Sequence, residues 1–472
     1  MKPLQLNFPQ PAVLCAAGSM VALVYWAMCS STAAQHVAVL LAVLGFPLAG
    51  LVASRTDPPQ SARLPILLLT LAALLVTARD PTLFAQPRFW AEEATVYFRT
   101  AWLSSTWRAL IAPHQGYFSL FANLASIVAS WVPLEQAPLV TTLLAALLPL
   151  VIVGAIAVSE SPTLDSPLKK AAAALACLLA GATGEIWLTT INSQHCVPLL
   201  VFLILIDDKQ KGWKRWAAQG LLVTLGLSSV AANFLAPLFL ARYLQQRDKI
   251  DLKLFWLLVA TSSIQIGAIA YSAIALGPSA YFHPSQSRVV SAADPVATLR
   301  RMLRYGLAYP LFGGHGTLST LAPWWLLVVV VLGWRSIAAL WAHWTALVLL
   351  TVLTVLGSLG MQGGERYAYP GAVLVSLMLI HMACDPRSRW PVRRLALLTW
   401  LASMLIWYLN FVPGLRQVRH PDWPKWTQEV KRWRADPTHA MQAHPIWAEQ
   451  TRIGLIWALH PGVAVPAEAM SP

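Results

Sequence analysis

Two adjacent carboxylates, Glu92 and Glu93, are the residues of this 472-residue chain best suited to acid–base chemistry. They follow Phe89-Trp90 in a stretch that is rich in aromatic side chains. A carboxylate that is partly desolvated beside a second negative charge has a raised pKa, and such a group acts as a general base toward a hydroxyl. Acids in the first turn of a helix also stabilise the helix dipole without doing chemistry. The sequence leaves both interpretations open, and it leaves open which acid would be the base.

Arginines form the second chemical group, because the guanidinium fork matches the oxygens of a phosphate and keeps its charge. The candidates for a phosphate site are Arg366, Arg288, Arg300 and Arg304. Arg300 and Arg304 are one turn apart on a helix that Asp294-Pro295 is expected to start. Contact with lipid headgroups is the competing explanation for these two, and pairing with Glu365 is the competing explanation for Arg366.

Side chains that could bind the hydroxyls of a sugar or an acceptor form a third group. These candidates are Asn192, Gln194, His195, Glu365 and Tyr367. A polar cluster at a helix end is also typical of a cap, so the sequence leaves the role of 192–195 open.

The elements that must hold these groups are apolar. Hydrophobic residues make up 57% of the chain and charged residues 11%, whereas soluble proteins have about 25% charged residues. This composition excludes a disordered chain, a fibre and an ordinary soluble enzyme. The five cysteines form no CxxC pair, so no metal site and no disulfide framework is predicted.

Apolar segments that are long enough, or nearly long enough, to cross a bilayer predict an all-α polytopic membrane protein. We expect about 13 transmembrane helices and at least 11 of them. The segments lie near 11–30, 36–54, 64–79, 138–158, 169–184, 189–206, 216–229, 231–243, 254–275, 321–334, 341–358, 370–384 and 395–412. The pair between 216 and 243 is interrupted by Ser228-Ser229 and Asn233, so one broken hairpin would also fit.

Positive charge predicts the orientation of these segments. Lysine and arginine are concentrated in or beside 55–63, 159–168, 207–215, 242–253, Arg335 and 385–394. The positive-inside rule places these connections and the N-terminus in the cytoplasm and the C-terminus outside. The long segments 80–137, 276–320 and 413–472 then lie outside as well. Arg366 is the only basic residue of the exterior connection 359–369, which is a second reason to single it out.

Amphipathic helices are predicted in two of the long exterior segments. In 87–102 the apolar face consists of Trp90, Ala94, Tyr97, Phe98 and Ala101, opposite Arg88, Glu92, Thr95 and Arg99. In the next helix Leu120, Leu124, Ile127, Val128 and Trp131 oppose Asn123, Ser126 and Ser130. The segment 413–472 is expected to form a small cap with a helix that carries Trp426, Val430 and Trp433 on one face.

The early exterior segment, with two interfacial helices and an acidic pair in the first, resembles the GT-C fold of integral-membrane glycosyltransferases. The string Phe89-Trp90-Ala91-Glu92-Glu93-Ala94 is similar to a Trp-Ala-Glu-Asp-Gly pattern of uncharacterised bacterial polytopic proteins, with Glu93 for Asp and Ala94 for Gly. Gly116-Tyr117, Asn192-Ser-Gln-His195 and Glu365-Arg366-Tyr367 follow in the order associated with that group. The resemblance makes 64–412 a GT-C-like core, preceded by two extra spans in 1–63 and followed by the 413–472 cap.

The resemblance implies an inverting glycosyltransferase of the bacterial inner membrane, with its active site on the periplasmic side. It would move a sugar from a polyprenyl-phosphate carrier to a glycan, lipid or protein acceptor in cell-envelope polysaccharide synthesis. Glu93 or Glu92 would be the base, and the arginines would bind the carrier phosphate. Membrane lipids are expected partners and nucleic acid is not. No cofactor is firmly implied, and a divalent cation would assist only if further carboxylates converged.

Two alternatives stay open at this point. A flippase or transporter for a lipid-linked glycan would use the same exterior arginines, although transporters usually carry ionisable residues inside their spans. A surface-polysaccharide polymerase or ligase also has many spans, and the acidic pair favours a GT-C transferase over it.

Overall fold

The computed structural model describes residues 39, 42–50, 63–114, 116–180, 184, 186–207, 212–281, 295–313, 316–357, 365–411, 425–437, 439, 441–442 and 456–457. The predicted first span at 11–30 and the phosphate candidate Arg288 lie outside the described residues, as does most of the 413–472 cap.

Helices account for most of the described chain, which confirms the all-α prediction. The α-helices are α1 (Arg63–Arg79), α2 (Thr82–Ala85), α3 (Arg99–Leu103), α4 (Thr106–Ile111), α5 (Leu120–Ser130), α6 (Ala137–Val158), α7 (Pro167–Leu179), α8 (Val197–Ile206), α9 (Trp213–Ser228), α10 (Val230–Asn233), α11 (Ala236–Gln246), α12 (Lys249–Tyr281), α13 (Pro295–Leu303), α14 (Tyr309–Phe312), α15 (Gly316–Ile337), α16 (Trp341–Gly357), α17 (Tyr369–Cys384), α18 (Trp390–Asn410) and α19 (Trp426–Ala435).

Short elements connect or extend these helices. There are π-helical turns at Glu93–Phe98 and Arg304–Ala308 and 3₁₀ turns at Pro162–Leu164, Ile191–His195 and Glu365–Ala368. Strand β1 (Pro113–His114) pairs antiparallel with β2 (Tyr117–Phe118), and β3 (Met441–Gln442) pairs antiparallel with β4 (Ile456–Trp457).

The described structure has apolar helices that are long enough to span a membrane. Among the described residues, four helices are both long and apolar enough, namely Ala137–Val158, Lys249–Ser272, Arg366–Cys384 and Trp390–Asn410. Their outward faces are apolar too, since Leu398, Leu405 and Leu409 on α18 are all more than half exposed. Apolar side chains on the outside suit a protein whose surrounding solvent is lipid. The expected total of 13 spans stays a prediction.

Helix α17 lies at the centre of the bundle. Every residue from Tyr369 to Ile380 is buried, and α17 packs against α7, α14, α15, α16 and α18. Its two ends therefore mark the two opposite ends of the helical core, about 24 Å apart at a rise of 1.5 Å per residue.

The first interfacial helix was predicted to span 87–102, and this boundary is wrong. Residues 87–90 are not helical, and Ala91 has a positive φ of 48° before the chain enters the π turn. The carboxylate of Glu93 accepts a hydrogen bond from the Trp90 N–H at 3.2 Å, which satisfies a donor at the start of the turn. Trp90, Ala94, Tyr97 and Phe98 of the predicted apolar face are buried in the protein and Ala101 is half-buried, but Arg88 from the predicted polar face is buried as well.

Helix α5 occurs where the second interfacial helix was predicted, and its polar face points inward. Asn123 and Ser126 are buried, whereas Leu124 is 40% exposed. The Asn123 amide donates to the carbonyls of Leu110 and Ala112, both at 3.0 Å, and so fixes α4 against α5. Ile127 of the predicted apolar face is buried too, whereas Trp131 is 68% exposed, so residues from both predicted faces pack against the protein.

The cap helix α19 packs on the 80–137 segment. Trp426 stacks edge-on against Phe89 with ring centroids 5.0 Å apart, and its indole N–H donates to the Leu134 carbonyl at 2.7 Å. Arg434 forms an ion pair with Glu135 at 3.0 Å. This part of the cap therefore covers the segment that carries Glu92 and Glu93.

Candidate functional site

Glu93 is buried and anchored by hydrogen bonds at both carboxylate oxygens. One oxygen accepts from the Trp90 N–H, and the other accepts from the N–H of Thr190 at 3.0 Å and from its hydroxyl. The residue is only 2% exposed. Glu93 thus connects the π turn at Glu93–Phe98 to the segment that leads into Ile191–His195.

Glu92 is half-buried, and it lies within electrostatic range of two phenols, those of the buried Tyr97 and the half-buried Tyr117. The Tyr97 hydroxyl is hydrogen-bonded to Tyr117 and Ser119, and the Tyr117 hydroxyl is also hydrogen-bonded to the Gln194 side chain. Burial raises the pKa of Tyr97 well above its usual value and the pKa of Tyr117 to about 12, and the nearby charge of Glu92 raises both further. Both phenols therefore stay protonated at neutral pH and can donate hydrogen bonds.

Tyr117 lies in the β1–β2 hairpin, and hydrogen bonds from α12 hold this hairpin in place. Gly116 provides the turn with a φ of 88°, a conformation that favours glycine. On α12, the buried amide of Gln265 accepts from the Phe118 N–H at 3.0 Å and donates to the Phe118 carbonyl at 2.8 Å. Gln265 therefore pairs with the backbone of β2 as a neighbouring strand would.

The Ile191–His195 turn brings the predicted sugar contacts to the same place. The Gln194 carbonyl accepts from the Ser229 hydroxyl at 3.0 Å, and its side chain is hydrogen-bonded to Tyr117. The His195 ring packs edge-on against Tyr367 with centroids 5.2 Å apart. Asn192 is buried in the same turn.

Arg366 and Tyr367 enter from the 3₁₀ turn that precedes α17. The Arg366 guanidinium lies 5.5 Å from the Tyr367 ring centroid and within electrostatic range of His195. Tyr367 also lies within electrostatic range of Tyr117. We call Glu92, Tyr97, Tyr117, Gln194, His195, Arg366 and Tyr367 the aromatic cluster. The Glu365 backbone belongs to the same turn, and its side chain lies outside the description.

The arginines predicted on α13 differ in their distance from the aromatic cluster. Arg304 stacks over Tyr309 at 4.7 Å, and Tyr305 joins Tyr309 to Tyr367 with ring distances of 5.4 and 6.1 Å. Arg304 is exposed and lies at the rim of the cluster. Arg300 is exposed one turn earlier, and within the described residues no contact joins it to the cluster.

No protein-family model, curated protein or solved structure matches this chain. The chemistry of the site therefore depends on the geometry just described. No group of three metal-ligating side chains occurs among the described residues, so nothing in this part of the chain favours a divalent cation.

Arg79 is a buried cation that the sequence pattern did not single out. It ends α1 and is 2% exposed, with its guanidinium donating to the Leu178 carbonyl. The guanidinium stacks on Phe411 at 3.8 Å and on Trp187 at 4.6 Å. Its position could have indicated a special role, because the positive-inside rule disfavours an arginine at the predicted exterior end of a span.

The aromatic cluster combines one half-buried carboxylate, protonated phenols, an amide, an imidazole and a guanidinium. A carboxylate accepts a proton, phenols and amides bind hydroxyl groups, and a guanidinium binds phosphate. These groups suit a reaction between a hydroxyl and a phosphate-bearing substrate.

Proposed function

We propose that the chain is a membrane-embedded glycosyltransferase of the GT-C type that uses a polyprenyl-phosphate sugar donor. The observation that carries this proposal is the convergence of Glu92 and Arg366 around Tyr117 and Tyr367. Glu92 and Tyr117 come from the 80–137 segment, and Arg366 and Tyr367 come from the turn before α17, far away in the sequence. A base and a phosphate-binding cation held by one cluster are the two groups that such a transfer requires.

The reaction follows from the roles of these groups. Glu92 takes the proton from an acceptor hydroxyl, and that oxygen attacks the anomeric carbon of the donor sugar. The bond between the anomeric carbon and the carrier phosphate breaks, and the phosphate leaves with the electron pair. A single displacement inverts the anomeric centre. Arg366, helped by Arg304 at the rim, stabilises the charge on the departing phosphate.

Glu92 is a better base than Glu93, although the sequence pattern named both. Each oxygen of Glu93 already accepts hydrogen bonds from the protein, so it has little capacity to accept a proton from a substrate. Glu92 is half-buried and lies within electrostatic range of the phenols. Glu93 then acts as a positioning residue that fixes the turn on which Glu92 lies.

The test is sugar transfer by purified protein in proteoliposomes. Synthetic decaprenyl-phosphate donors carrying radiolabelled glucose, mannose or arabinose are supplied with membranes of the native host as the acceptor source. We expect one donor to give label in a glycosidic product with the wild type and none with Glu92→Gln. Glu160→Gln, an exposed carboxylate that pairs with Lys214 at the far end of α6, is the matched control. Full transfer by Glu92→Gln would overturn the mechanism.

The same vesicles test the transport alternative. A polar cavity at the other end of the bundle, described below, is the one observation that favours a flippase. If a fluorescent decaprenyl phosphate crosses the vesicle only when the protein is present, and no glycosidic bond forms with any donor, the flippase explanation replaces the transferase.

A further inference from the structure

A second polar site lies at the opposite end of α17 from the aromatic cluster. It is a cavity of about 540 Å³, lined by the 161–169 connection and by the ends of α8, α11, α15, α16 and α17. This volume is in the range of small-molecule sites. We call it the basic cavity, because four basic side chains and two acidic ones line it: Lys169, Arg242, Arg335, Arg387, Asp165 and Asp385.

The acidic side chains of the basic cavity are engaged by the protein. Asp165 forms an ion pair with Lys169 at 2.9 Å. Asp385 accepts from the Ser336 hydroxyl at 2.7 Å and from the Arg387 N–H at 3.0 Å. Arg242 has its own partner in Asp251 at 3.2 Å, outside the lining. Neither acid forms an ion pair with Arg335 or Arg387 among the described residues, although the Arg387 guanidinium lies within electrostatic range of Asp385.

Arg335 and Arg387 are the cations that stay available. Both side chains are exposed beside the cavity, and neither forms an ion pair with any residue of the described chain. Two guanidinium groups that line one cavity without an ion-pair partner attract an anion, and their forked geometry suits phosphate.

Two imidazoles with unpartnered ring nitrogens line the same cavity. His343 is 2% exposed, and neither of its ring nitrogens has a hydrogen-bond partner among the described residues. His381 lines the cavity as well, and its Nδ1 is also without a partner there. A buried imidazole N–H without an acceptor costs free energy, and a ligand oxygen that reached this N–H would remove that cost.

We propose that the basic cavity binds a phosphate-bearing anion, with Arg335 and Arg387 neutralising its charge and His343 and His381 donating to its oxygens. A metal ion fits poorly, because the described residues contain no group of three suitable ligands. The site is separate from the aromatic cluster and does not depend on the proposed transfer reaction. On the predicted orientation it faces the cytoplasm, where both free phosphates and lipid headgroups occur.

The test measures binding rather than sugar transfer, so that it stands apart from the proposed function. Wild-type protein is placed in nanodiscs of phosphatidylcholine and titrated with inorganic pyrophosphate in a calorimeter. In a second arm, nanodiscs containing one-fifth phosphatidic acid are used, and the phosphatidic acid retained by the protein after detergent extraction is counted by native mass spectrometry.

Two double variants distinguish binding in the basic cavity from nonspecific attraction of the anion to surface arginines. We expect R335Q/R387Q to weaken binding at least tenfold in whichever arm is positive. R389Q/R394Q is the matched control, because it removes two exposed arginines nearby that do not line the cavity. His343→Leu tests whether the buried imidazole contributes to binding. If His343→Leu does not fold, a folded Arg387→Gln variant tests the contribution of the exposed guanidinium instead.

Each outcome decides the matter. Pyrophosphate binding that R335Q/R387Q abolishes identifies a free phosphate compound as the ligand class, and selective retention of phosphatidic acid identifies a lipid headgroup. Absence of binding in both arms, binding that R335Q/R387Q leaves intact, or an equal loss in R389Q/R394Q would each overturn the proposal.

Discussion

The two ends of α17 carry polar groups of opposite character. At the Tyr369 end, the aromatic cluster is closely packed, and its phenols and amide are already hydrogen-bonded to one another around a single half-buried acid. At the Cys384 end, the basic cavity is open, with unpaired guanidinium groups at its mouth and unpartnered imidazoles inside. A preorganised network suits the stabilisation of a reaction, whereas unsatisfied donors around an open volume suit binding. The difference suggests chemistry at one end and recognition of an anion at the other.

The largest predicted effects come from substituting the two adjacent acids of the aromatic-cluster end, Glu92 and Glu93. If Glu92 is the base, Glu92→Gln lowers the transfer rate by about 10²–10⁴-fold, the usual size of general-base catalysis, and leaves stability unchanged. Glu93→Gln should instead weaken the bonds to Trp90 and Thr190 and lower the free energy of unfolding by about 1–3 kcal/mol. Transfer rates in proteoliposomes and unfolding in mixed micelles measure the two effects.

Pyrophosphate titration of the same two variants provides the control. Binding at the basic cavity should be unchanged in both, because the substitutions lie at the other end of α17. A variant Glu93→Gln that keeps full stability but loses transfer would reverse the roles of the two acids.

Acid should destabilise the fold through the buried imidazole of His114, which lies beside the aromatic cluster. His114 packs against Tyr97 with ring centroids 4.5 Å apart, and burial lowers the pKa of His114 to about 4. The unfolded chain binds this proton near pH 6.5, and the folded chain does not. Stability from neutral His114 is thus fully present above pH 6.5 and is lost as the pH falls toward 4, by up to about 3 kcal/mol.

The comparison of His114→Gln with the wild type isolates this contribution. We expect the difference in unfolding free energy between the two proteins to change between pH 6.5 and 4 and to be constant at higher pH. A parallel pH dependence in both proteins would mean that His114 contributes nothing to acid sensitivity.

The sequence predicted the helices and much of the aromatic cluster for physical reasons that hold in a membrane. Apolar runs must form helices to satisfy their backbone in lipid, and breaks in those runs marked the polar residues Gln194, His195 and Tyr367. The order of contacts was not predictable, because Gln265 and Tyr117 are 148 residues apart and only the folded bundle brings them together. Arg88 and the inward face of α5 show the same limit, since helical periodicity separates two faces without telling which one meets the protein.

The basic cavity was missed for a different reason. Its arginines and Lys169 satisfied the positive-inside rule, so their charge was attributed to topology alone. His343 lies in the apolar run 341–358 and gave no periodic signal. A residue that sets orientation can also bind a ligand, and only the positions of its neighbours distinguish the two roles.

Removing the two hydrogen bonds between Gln265 and the Phe118 backbone on β2 should have a smaller effect, confined to the aromatic cluster. Gln265→Leu keeps the volume of the side chain but leaves the N–H and carbonyl of Phe118 unsatisfied, which should cost about 1–3 kcal/mol. Because Tyr117 is next to Phe118, transfer should also fall about tenfold through misplacement of the phenol. Ser263→Ala, an exposed position on α12 that bonds only within its own helix, is the control and should change neither value.

The smallest predicted effect concerns the cap helix α19. Its measurement distinguishes a helix that positions the aromatic cluster from one that only covers it. Trp426→Phe retains stacking on Phe89 but removes the indole N–H that donates to the Leu134 carbonyl, so we expect a loss of about 1 kcal/mol in unfolding free energy. Trp433→Phe is the matched control on the same helix, because its indole nitrogen has no partner among the described residues. If Trp426→Phe slows transfer by more than its stability loss accounts for, while Trp433→Phe is neutral, the cap positions the segment that bears Glu92. If both variants transfer at the wild-type rate, α19 only shields the apolar surface around Phe89.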